Sequence, residues 1–139
     1  MTLVGRDPVP IPSRIETLMY WLPRIAVALV FLSVGSQKFS EGTMWVPIFA
    51  RIGFGQWFRY LTGVMQVGGA VLILIPPLAI YGVAMLACTM AGAVVVWVSF
   101  NLAGNAVIPA ALLLVLLVLG WGDYQRHSLV TQSGGRVER

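Results

Sequence analysis

The stretch from Tyr60 to Gly122 reads YLTGVMQVGGAVLILIPPLAIYGVAMLACTMAGAVVVWVSFNLAGNAVIPAALLLVLLVLGWG and contains no Asp, Glu, Lys, Arg or His. Water-soluble domains carry about 25% charged residues, whereas this chain has 10%, with 58% apolar residues and a mean hydropathy of +0.86. A helix needs about 20 mostly apolar residues to cross a hydrocarbon layer about 30 Å thick. The uncharged stretch is long enough for about three such helices and predicts a membrane protein.

Breakers and charges divide the chain into four apolar segments. The second segment ends before Pro76-Pro77, because proline lacks an amide hydrogen and disfavours helix in the preceding residue. The predicted helices cover residues 20–37, about 57–75, 78–100 and about 106–121. Continuous hydrophobicity, rather than alternation, excludes the strands of a membrane barrel. The sequence therefore predicts an all-α, polytopic membrane protein, a bundle of four transmembrane helices.

The expected organisation is one membrane domain with two polar ends. Residues 20–122 form the four-helix domain, residues 1–19 a cytoplasmic N-terminal segment, and residues 123–139 a polar cytoplasmic tail. Ser33-Val34-Gly35 has the small-x-small form of a signal cleavage site. We nevertheless expect the first segment to be retained as a span.

Basic residues near the span ends predict the orientation. With four spans both termini share one side, and that side holds six arginines, against Lys38, Arg51 and Arg59 on the other. The six are Arg6, Arg14, Arg24, Arg126, Arg136 and Arg139. We expect a multi-pass protein of a bacterial inner membrane with cytoplasmic termini. The net charge of +4 is explained by arginines that flank the spans and attract anionic lipid. No nucleic-acid partner is expected.

The segment 39–58 is the longest predicted connection and is rich in aromatic residues. Five apolar residues recur at three- and four-residue spacing, which predicts a short helix with one apolar face. They are Met44, Trp45, Ile48, Phe49 and Ile52. We expect this interfacial segment between the first two long helices to lie along the outer membrane surface. Two interpretations stay open, an interfacial anchor and a lid over a pocket between the helices.

The composition limits the chemistry that the chain can perform alone. Beyond Arg59, at the start of the second span, the last three spans contain no Asp, Glu, Lys, Arg or His, so we expect no proton-coupled transport. Cys88 is the only cysteine, which excludes an intramolecular disulfide or a C-x-x-C pair, and we interpret it as a small packing residue. His127 is the only histidine and follows the last span. We expect no metal site and assign no catalytic residue.

Several polar side chains at membrane depth are candidate ligand or partner contacts. Gln66 and Thr89 either hydrogen-bond between helices or, together with Gln37, orient a small ligand such as a quinone carbonyl. Arg24 and Lys38 lie fourteen residues apart at opposite ends of the first helix. They either reach lipid headgroups or, in the case of Lys38 with Arg59, attract an anionic substrate or acidic residues of a partner.

Four motifs in order resemble the DoxX-like family of four-helix membrane proteins. They are Arg24-Ile25, the run FLSVGSQKF at 31–39, the run FRYLTGVMQVGGA at 58–70, and TMAGAV at 89–94. The resemblance covers residues 20–122 and implies Arg24, Gly35, Lys38, Gly63 and Gly92 as matched positions.

The resemblance also implies a link to redox chemistry. Members of the family are associated with thiosulfate-to-quinone electron transfer and with membrane oxidoreductase assemblies. Many carry a glutamate where Gln66 stands, and a histidine near the position of Val95 to Trp97. Any acid-base role attached to those family positions is therefore absent from our expectations for this chain.

Three functions remain open on the sequence. The one we favour is a small membrane subunit that anchors or assembles a larger, quinone-linked redox complex, with Trp45 and Phe49 among the partner contacts. The alternatives are an oxidoreductase component that itself binds quinone, and a carrier for a small apolar or weakly anionic solute. We expect lipid and protein partners and no cofactor built from the chain's own residues.

Overall fold

The computed structural model describes residues 13–134, without the side chains of residue 103 and residues 127–134. All the regular secondary structure in this part of the chain is helical, and it contains no strand. The helices are α1 (Arg14–Gln37), α2 (Trp45–Ile52), α3 (Gln56–Ile73), α4 (Ala79–Ser99) and α5 (Val107–Gly134). Short 3-10 turns, Pro76–Leu78 and Ala103–Ala106, precede α4 and α5.

Three stretches are long and apolar enough to cross a membrane. They are Arg14–Gln37, Pro76–Ser99 and Gly104–Arg126. Together with the family resemblance they identify a multi-pass helical membrane protein. The helix α3 has 18 residues and is less apolar, since Arg59 and Gln66 lie in it. By length and apolarity alone the described residues therefore contain three candidate spans, whereas the sequence predicted four.

The first helix begins earlier than residue 20, the start that the sequence predicted. Ser13 caps it, because the Ser13 hydroxyl accepts from the Glu16 backbone N–H and the Glu16 carboxylate accepts from the Ser13 N–H. This reciprocal pair satisfies donors that a helix start otherwise leaves free. Polar residues before the apolar run therefore extend α1 by a turn and a half.

The last helix runs past residue 121, its predicted end, to Gly134. Residues of the expected polar tail therefore continue α5, because nothing in the sequence between Gly122 and Gly134 is a strong helix breaker. The side chain of His127 lies outside the described part of the structure. The same holds for residues 1–12 and 135–139 of the two expected terminal segments.

Four long helices pack as neighbours in chain order. The closest backbone approaches join α1 to α3, α3 to α4 and α4 to α5, while α2 lies against α3. Antiparallel packing follows from the contacts, since Gly35 lies beside Gln66 whereas Lys38 lies beside Gly63. Side chains from all four long helices fill the centre. The buried core comprises Val27, Ala28, Phe31, Ala70, Ile73, Val83, Leu86, Met90 and Leu116.

Glycine makes the closest helix approach possible. A Cβ at Gly82 would lie 2.7 Å from the Gly69 carbonyl oxygen and 2.7 Å from the Ile73 nitrogen, both backbone atoms. Small residues at such crossings let membrane helices approach closely, as the sequence suggested. Gly92, in contrast, has no atom within 4 Å of its Cβ position.

One expectation about α4 is wrong. Cys88 is exposed rather than a packing residue inside the bundle, and Gly92, a matched family position, is exposed as well and makes no close helix contact. Both lie on the face of α4 that turns away from the buried Leu86 and Met90. The apolar residues of α4 surround the whole helix, so its sequence alone did not identify the inward face.

The two α4 glycines predict opposite responses to the same substitution. Gly82→Ala should lower the free energy of unfolding by about 1 to 3 kcal/mol, because the added methyl group meets backbone that cannot move aside. Gly92→Ala should be neutral or slightly stabilising, since alanine is the better helix former and the position is open. Thermal unfolding of both variants in one detergent tests this, and equal losses of stability would contradict the packing of α3 on α4.

Candidate functional site

A buried lysine lies at the end of α1 where the chain turns toward α2. Lys38 is only 5% exposed, and its ammonium donates a 2.6 Å hydrogen bond to Gln66 Oε1 on α3. The same nitrogen lies 4.8 Å from the ring centroid of Trp45 and 5.9 Å from that of Phe49. We call these four residues, Lys38, Trp45, Phe49 and Gln66, the lysine site.

Glycine allows the lysine to lie flat against α3. The Lys38 Cβ is 3.2 Å from the position that a Cβ of Gly63 would occupy, and the Phe39 ring is 3.0 Å from it. Any larger residue at 63 would push the α1 end away from α3. Because Gly63 and Gln66 are three residues apart on one helix face, the amide lies where the lysine side chain ends.

The short helix α2 covers the lysine site from one side. Phe49 is buried and Trp45 half-buried, so the apolar face predicted for segment 39–58 turns toward the protein. Met44 is the exception, since it precedes α2 and is 68% exposed. Glycines with positive φ close this segment, Gly53 after α2 and Gly55 before α3. The geometry favours a cover over the site rather than a helix resting on the membrane surface alone.

A second buried cation lies on α3, one turn before the glycine against which Lys38 packs. Arg59 is 2% exposed and precedes Gly63 by four residues on the same face of α3. Its guanidinium donates to the Ser40 carbonyl oxygen at 2.9 Å and to the Tyr60 hydroxyl at 3.0 Å. Both partners are neutral, as is the amide that receives Lys38.

Three buried polar atoms around α2 lack a hydrogen-bond partner among the described residues. They are the donors Trp45 Nε1 and Arg59 Nε and the acceptor Gln56 Oε1. The Gln56 amide nitrogen meanwhile donates to the Val46 carbonyl at 3.1 Å, which ties α3 to α2. Buried polar groups are nearly always paired in proteins. Unused donors beside two cations suit a ligand that carries acceptor oxygens.

Burial disfavours the charged form of Lys38. The residue follows the last position of α1 and lies outside the three stretches long and apolar enough to cross a membrane. Loss of hydration lowers the pKa of its amine from 10.5 to about 8. The amine therefore titrates closer to neutral pH than an ordinary lysine and can act as a hydrogen-bond donor in either protonation state.

Arg24 belongs to a different site, at the opposite end of the bundle. It is 4% exposed and forms an ion pair with Asp123 of α5, and it donates to the Tyr20 carbonyl oxygen at 2.9 Å. Of the two roles left open for Arg24 and Lys38, extension to lipid headgroups does not fit either side chain, because both are buried. Each cation instead contacts a polar side chain of another helix, Asp123 for Arg24 and Gln66 for Lys38, so neither has to extend to the membrane surface to find a partner.

Two candidate residues are not part of the lysine site. The Gln37 side chain is exposed, and its backbone carbonyl accepts from the Thr43 hydroxyl at 3.3 Å. The Thr89 hydroxyl donates to the Leu86 carbonyl of its own helix at 2.8 Å. Threonine commonly satisfies itself in this way within a helix. The cross-bundle bond that was one of the two roles considered for Thr89 is therefore not formed.

Sequence reasoning missed three contributors, Asp123, Ser40 and Gln56. Asp123 is the first charged residue after the uncharged stretch and lies on the same side of the membrane as Arg24 in a four-span arrangement. That coincidence was a usable signal for the ion pair. Ser40 contributes only a backbone carbonyl, for which the sequence carries no signal.

The comparisons with known proteins agree with the resemblance. The model of a protein family described as the DoxX-like family matches residues 23–120, well over half of the chain. No curated protein and no solved structure matches it. The matched range includes every member of the lysine site together with Arg24 and Arg59.

The titration of Lys38 tests the lysine site directly. Lys38 is the only lysine, so lysine labelled with ¹³C at Cε reports this amine alone in an NMR titration. We expect a midpoint near pH 8 rather than 10.5. Gln66→Glu should raise that pKa by placing a carboxylate beside the amine, whereas Thr89→Val should leave it unchanged.

The same titration has a consequence for stability. With its pKa lowered, the folded chain binds fewer protons than the unfolded chain between pH 8 and pH 10.5, so this amine makes stability rise with pH across that interval. An ordinary lysine midpoint in the wild type, or no response to Gln66→Glu, would show that the amine is not buried beside residue 66.

Proposed function

This chain belongs to the DoxX-like family, and from that premise we propose that it is a small membrane subunit of a quinone-linked redox complex. In this proposal the lysine site binds the quinone head group, and another polypeptide exchanges electrons with it. The proposal thus joins the subunit role that the sequence favoured with the quinone-binding alternative.

The observation that carries the proposal is the buried ammonium of Lys38 among aromatic rings. A quinone head group is a flat apolar ring with carbonyl oxygens, and it needs hydrogen-bond donors inside an otherwise apolar site. Lys38 supplies a donor, Trp45 Nε1 supplies a second that lacks a partner among the described residues, and Phe49 supplies an apolar surface. The residues present therefore fit the group.

The subunit role follows from the limited redox chemistry of the side chains. The chain has one cysteine and one histidine, and its described residues contain no group of three His, Cys, Asp or Glu able to hold a metal ion. Quinone reduction needs two electrons and two protons, so in this proposal a partner chain supplies the two electrons and the quinone accepts them. Lys38 contributes binding and orientation.

Partner contacts belong to residues other than those first expected. Phe49 is 6% exposed and Trp45 faces Lys38, so replacing them disturbs the lysine site rather than an outer surface. The exposed aromatic residues of the same segment are Phe54 and Trp57, at 63% and 62% exposure. We propose these two as contacts with lipid headgroups or with the partner chain.

We also propose that α3 is the fourth span. It packs between α1 and α4 over its whole length, since Gly63 meets Lys38 near one end and Ile73 meets Gly82 at the other. Its 18 residues rise about 27 Å at 1.5 Å per residue. A helix between two spans, at the same depth, crosses with them.

A small anion is the second candidate ligand. Lys38 and Arg59 are both buried, and no described carboxylate pairs with either. Buried charges are normally paired, so a ligand that brings a negative charge would offset the cost of burying both cations. This would agree with the carrier for a weakly anionic solute that the sequence left open.

Binding of a short-chain benzoquinone to the purified chain in lipid nanodiscs tests the primary proposal. Lys38→Met removes the charged donor but keeps the side-chain length, and we expect the dissociation constant to rise about 10-fold to 100-fold. Arg51→Met, which removes an exposed cation at the end of α2, should change it less than about twofold.

Benzoate, titrated in the same nanodiscs, separates the two ligands. If quinone does not bind the wild type but benzoate does, and Lys38→Met or Arg59→Gln abolishes benzoate binding, the anion is the correct ligand. Equal quinone affinity in the wild type and Lys38→Met, with both chains folded, would contradict quinone binding at this site.

The topology has its own test, because four spans place both termini on one side and three spans do not. In a Cys88→Ala background, a single cysteine replaces either Thr43 or Ser133, and intact cells receive a thiol probe that does not cross membranes. We expect labelling at 43 only, as basic residues favour the cytoplasmic side for the termini. Labelling at 133 alone would show that the orientation is the reverse of the one proposed. A chain with three spans would have residues 43 and 133 on the same side, so that both or neither would be labelled.

A further inference from the structure

At the end of the bundle opposite the lysine site, one aromatic ring contacts two arginines from different helices. The guanidinium carbon of Arg24 lies 3.7 Å from the Tyr20 ring centroid, and that of Arg126 lies 4.7 Å from it. Tyr20 and Arg24 belong to α1, whereas Arg126 belongs to α5. We call Tyr20, Arg24, Asp123 and Arg126 the tyrosine cluster.

The tyrosine cluster carries one positive charge more than its carboxylate balances. Asp123 pairs with Arg24, and both are buried. Arg126 is exposed, and no described carboxylate forms an ion pair with it. Stacking on the ring already restricts the rotamers of this exposed guanidinium. Binding a ligand therefore costs less side-chain entropy than it would for an arginine that moves freely.

The position of Arg126, just beyond the uncharged stretch, is the one expected for a contact with the phosphate layer of a bilayer. Asp123 directly follows the uncharged stretch that ends at Gly122, and Arg126 follows it by three residues, a rise of about 4.5 Å along α5. Tyrosine side chains favour the same interfacial layer. Large apolar side chains are exposed in the adjoining turns, namely Leu22 and Ile25 on α1 and Trp121 on α5, where acyl chains can pack.

The helices that the tyrosine cluster joins have few other links. The close backbone approaches run from α1 through α3 and α4 to α5, so α1 and α5 meet through side chains. At this end the Arg24–Asp123 ion pair and the Arg126 contact with Tyr20 connect them. A ligand that binds Arg126 beside Tyr20 would therefore add a contact across this seam.

We propose that the tyrosine cluster binds the phosphate of an anionic phospholipid, with Arg126 as the charged contact. Arginine presents paired N–H donors that match two phosphate oxygens. The free positive charge favours a headgroup with net negative charge over a zwitterionic one. Exposed apolar side chains beside the cluster favour a lipid over free phosphate.

Native mass spectrometry of the intact chain from mixed micelles measures this binding. The micelles contain equal amounts of phosphatidylglycerol and phosphatidylcholine, and we expect the wild type to retain phosphatidylglycerol preferentially. Arg126→Gln should reduce that preference about fivefold to tenfold. Arg51→Gln is the matched control, since Arg51 is also exposed and stacks on an aromatic ring, Phe100, at 5.4 Å. It should keep the preference.

Thermal unfolding distinguishes the lipid from free phosphate and guards against misfolding. Measured against its own unfolding temperature in phosphatidylcholine alone, Arg126→Gln should lose most of the increase that phosphatidylglycerol gives the wild type. Inorganic phosphate at millimolar concentration should give no such increase. Equal loss of lipid preference in Arg126→Gln and Arg51→Gln, or full stabilisation by inorganic phosphate, would overturn the proposal.

Discussion

Charge buried inside an apolar bundle is the constraint on which the rest of this structure depends. Arg24, Lys38 and Arg59 are each at most 5% exposed, and an ionised group in such surroundings costs several kcal/mol unless it is paired. Arg24 has Asp123 as its partner. Lys38 and Arg59 have an amide, a backbone carbonyl and a hydroxyl, all neutral. At one end of the bundle the buried cation is therefore paired with a carboxylate, and the other end holds two buried cations that a ligand oxygen can stabilise.

Small residues and one short helix give the open end its shape. Gly63 brings the Lys38 backbone against α3, and Gln66 on the same face then receives the ammonium. The helix α2 supplies Trp45 and Phe49 as the outer wall, which leaves the amine in a low-dielectric space and lowers its pKa. These features combine a hydrogen-bond donor, aromatic surfaces and partial desolvation, which is the combination that a carbonyl-bearing or anionic ligand requires.

Much of this could be predicted from the sequence, and the failures have physical reasons. The uncharged stretch and its prolines predicted the helices, and the spacing of Trp45 and Phe49 predicted the apolar face of α2. Periodicity could not locate the inward face of α4, because that helix is apolar all round. Cys88 was interpreted as a packing residue and is exposed. The burial of Arg24 was missed because its partner, Asp123, is 99 residues away in the chain. Only the four-span arrangement, which places both residues on one side of the membrane, pointed to this pair.

The most direct test is an experimental structure of the chain in nanodiscs after purification in the presence of a short-chain benzoquinone. A ligand oxygen should lie within about 3 Å of Lys38 Nζ, between Trp45 and Phe49 on one side and Gln66 on the other. The Arg24–Asp123 ion pair should be intact in the same structure. A lysine side chain that instead extends into water or lipid headgroups, with its former space filled by apolar side chains, would contradict the buried site and the function proposed from it.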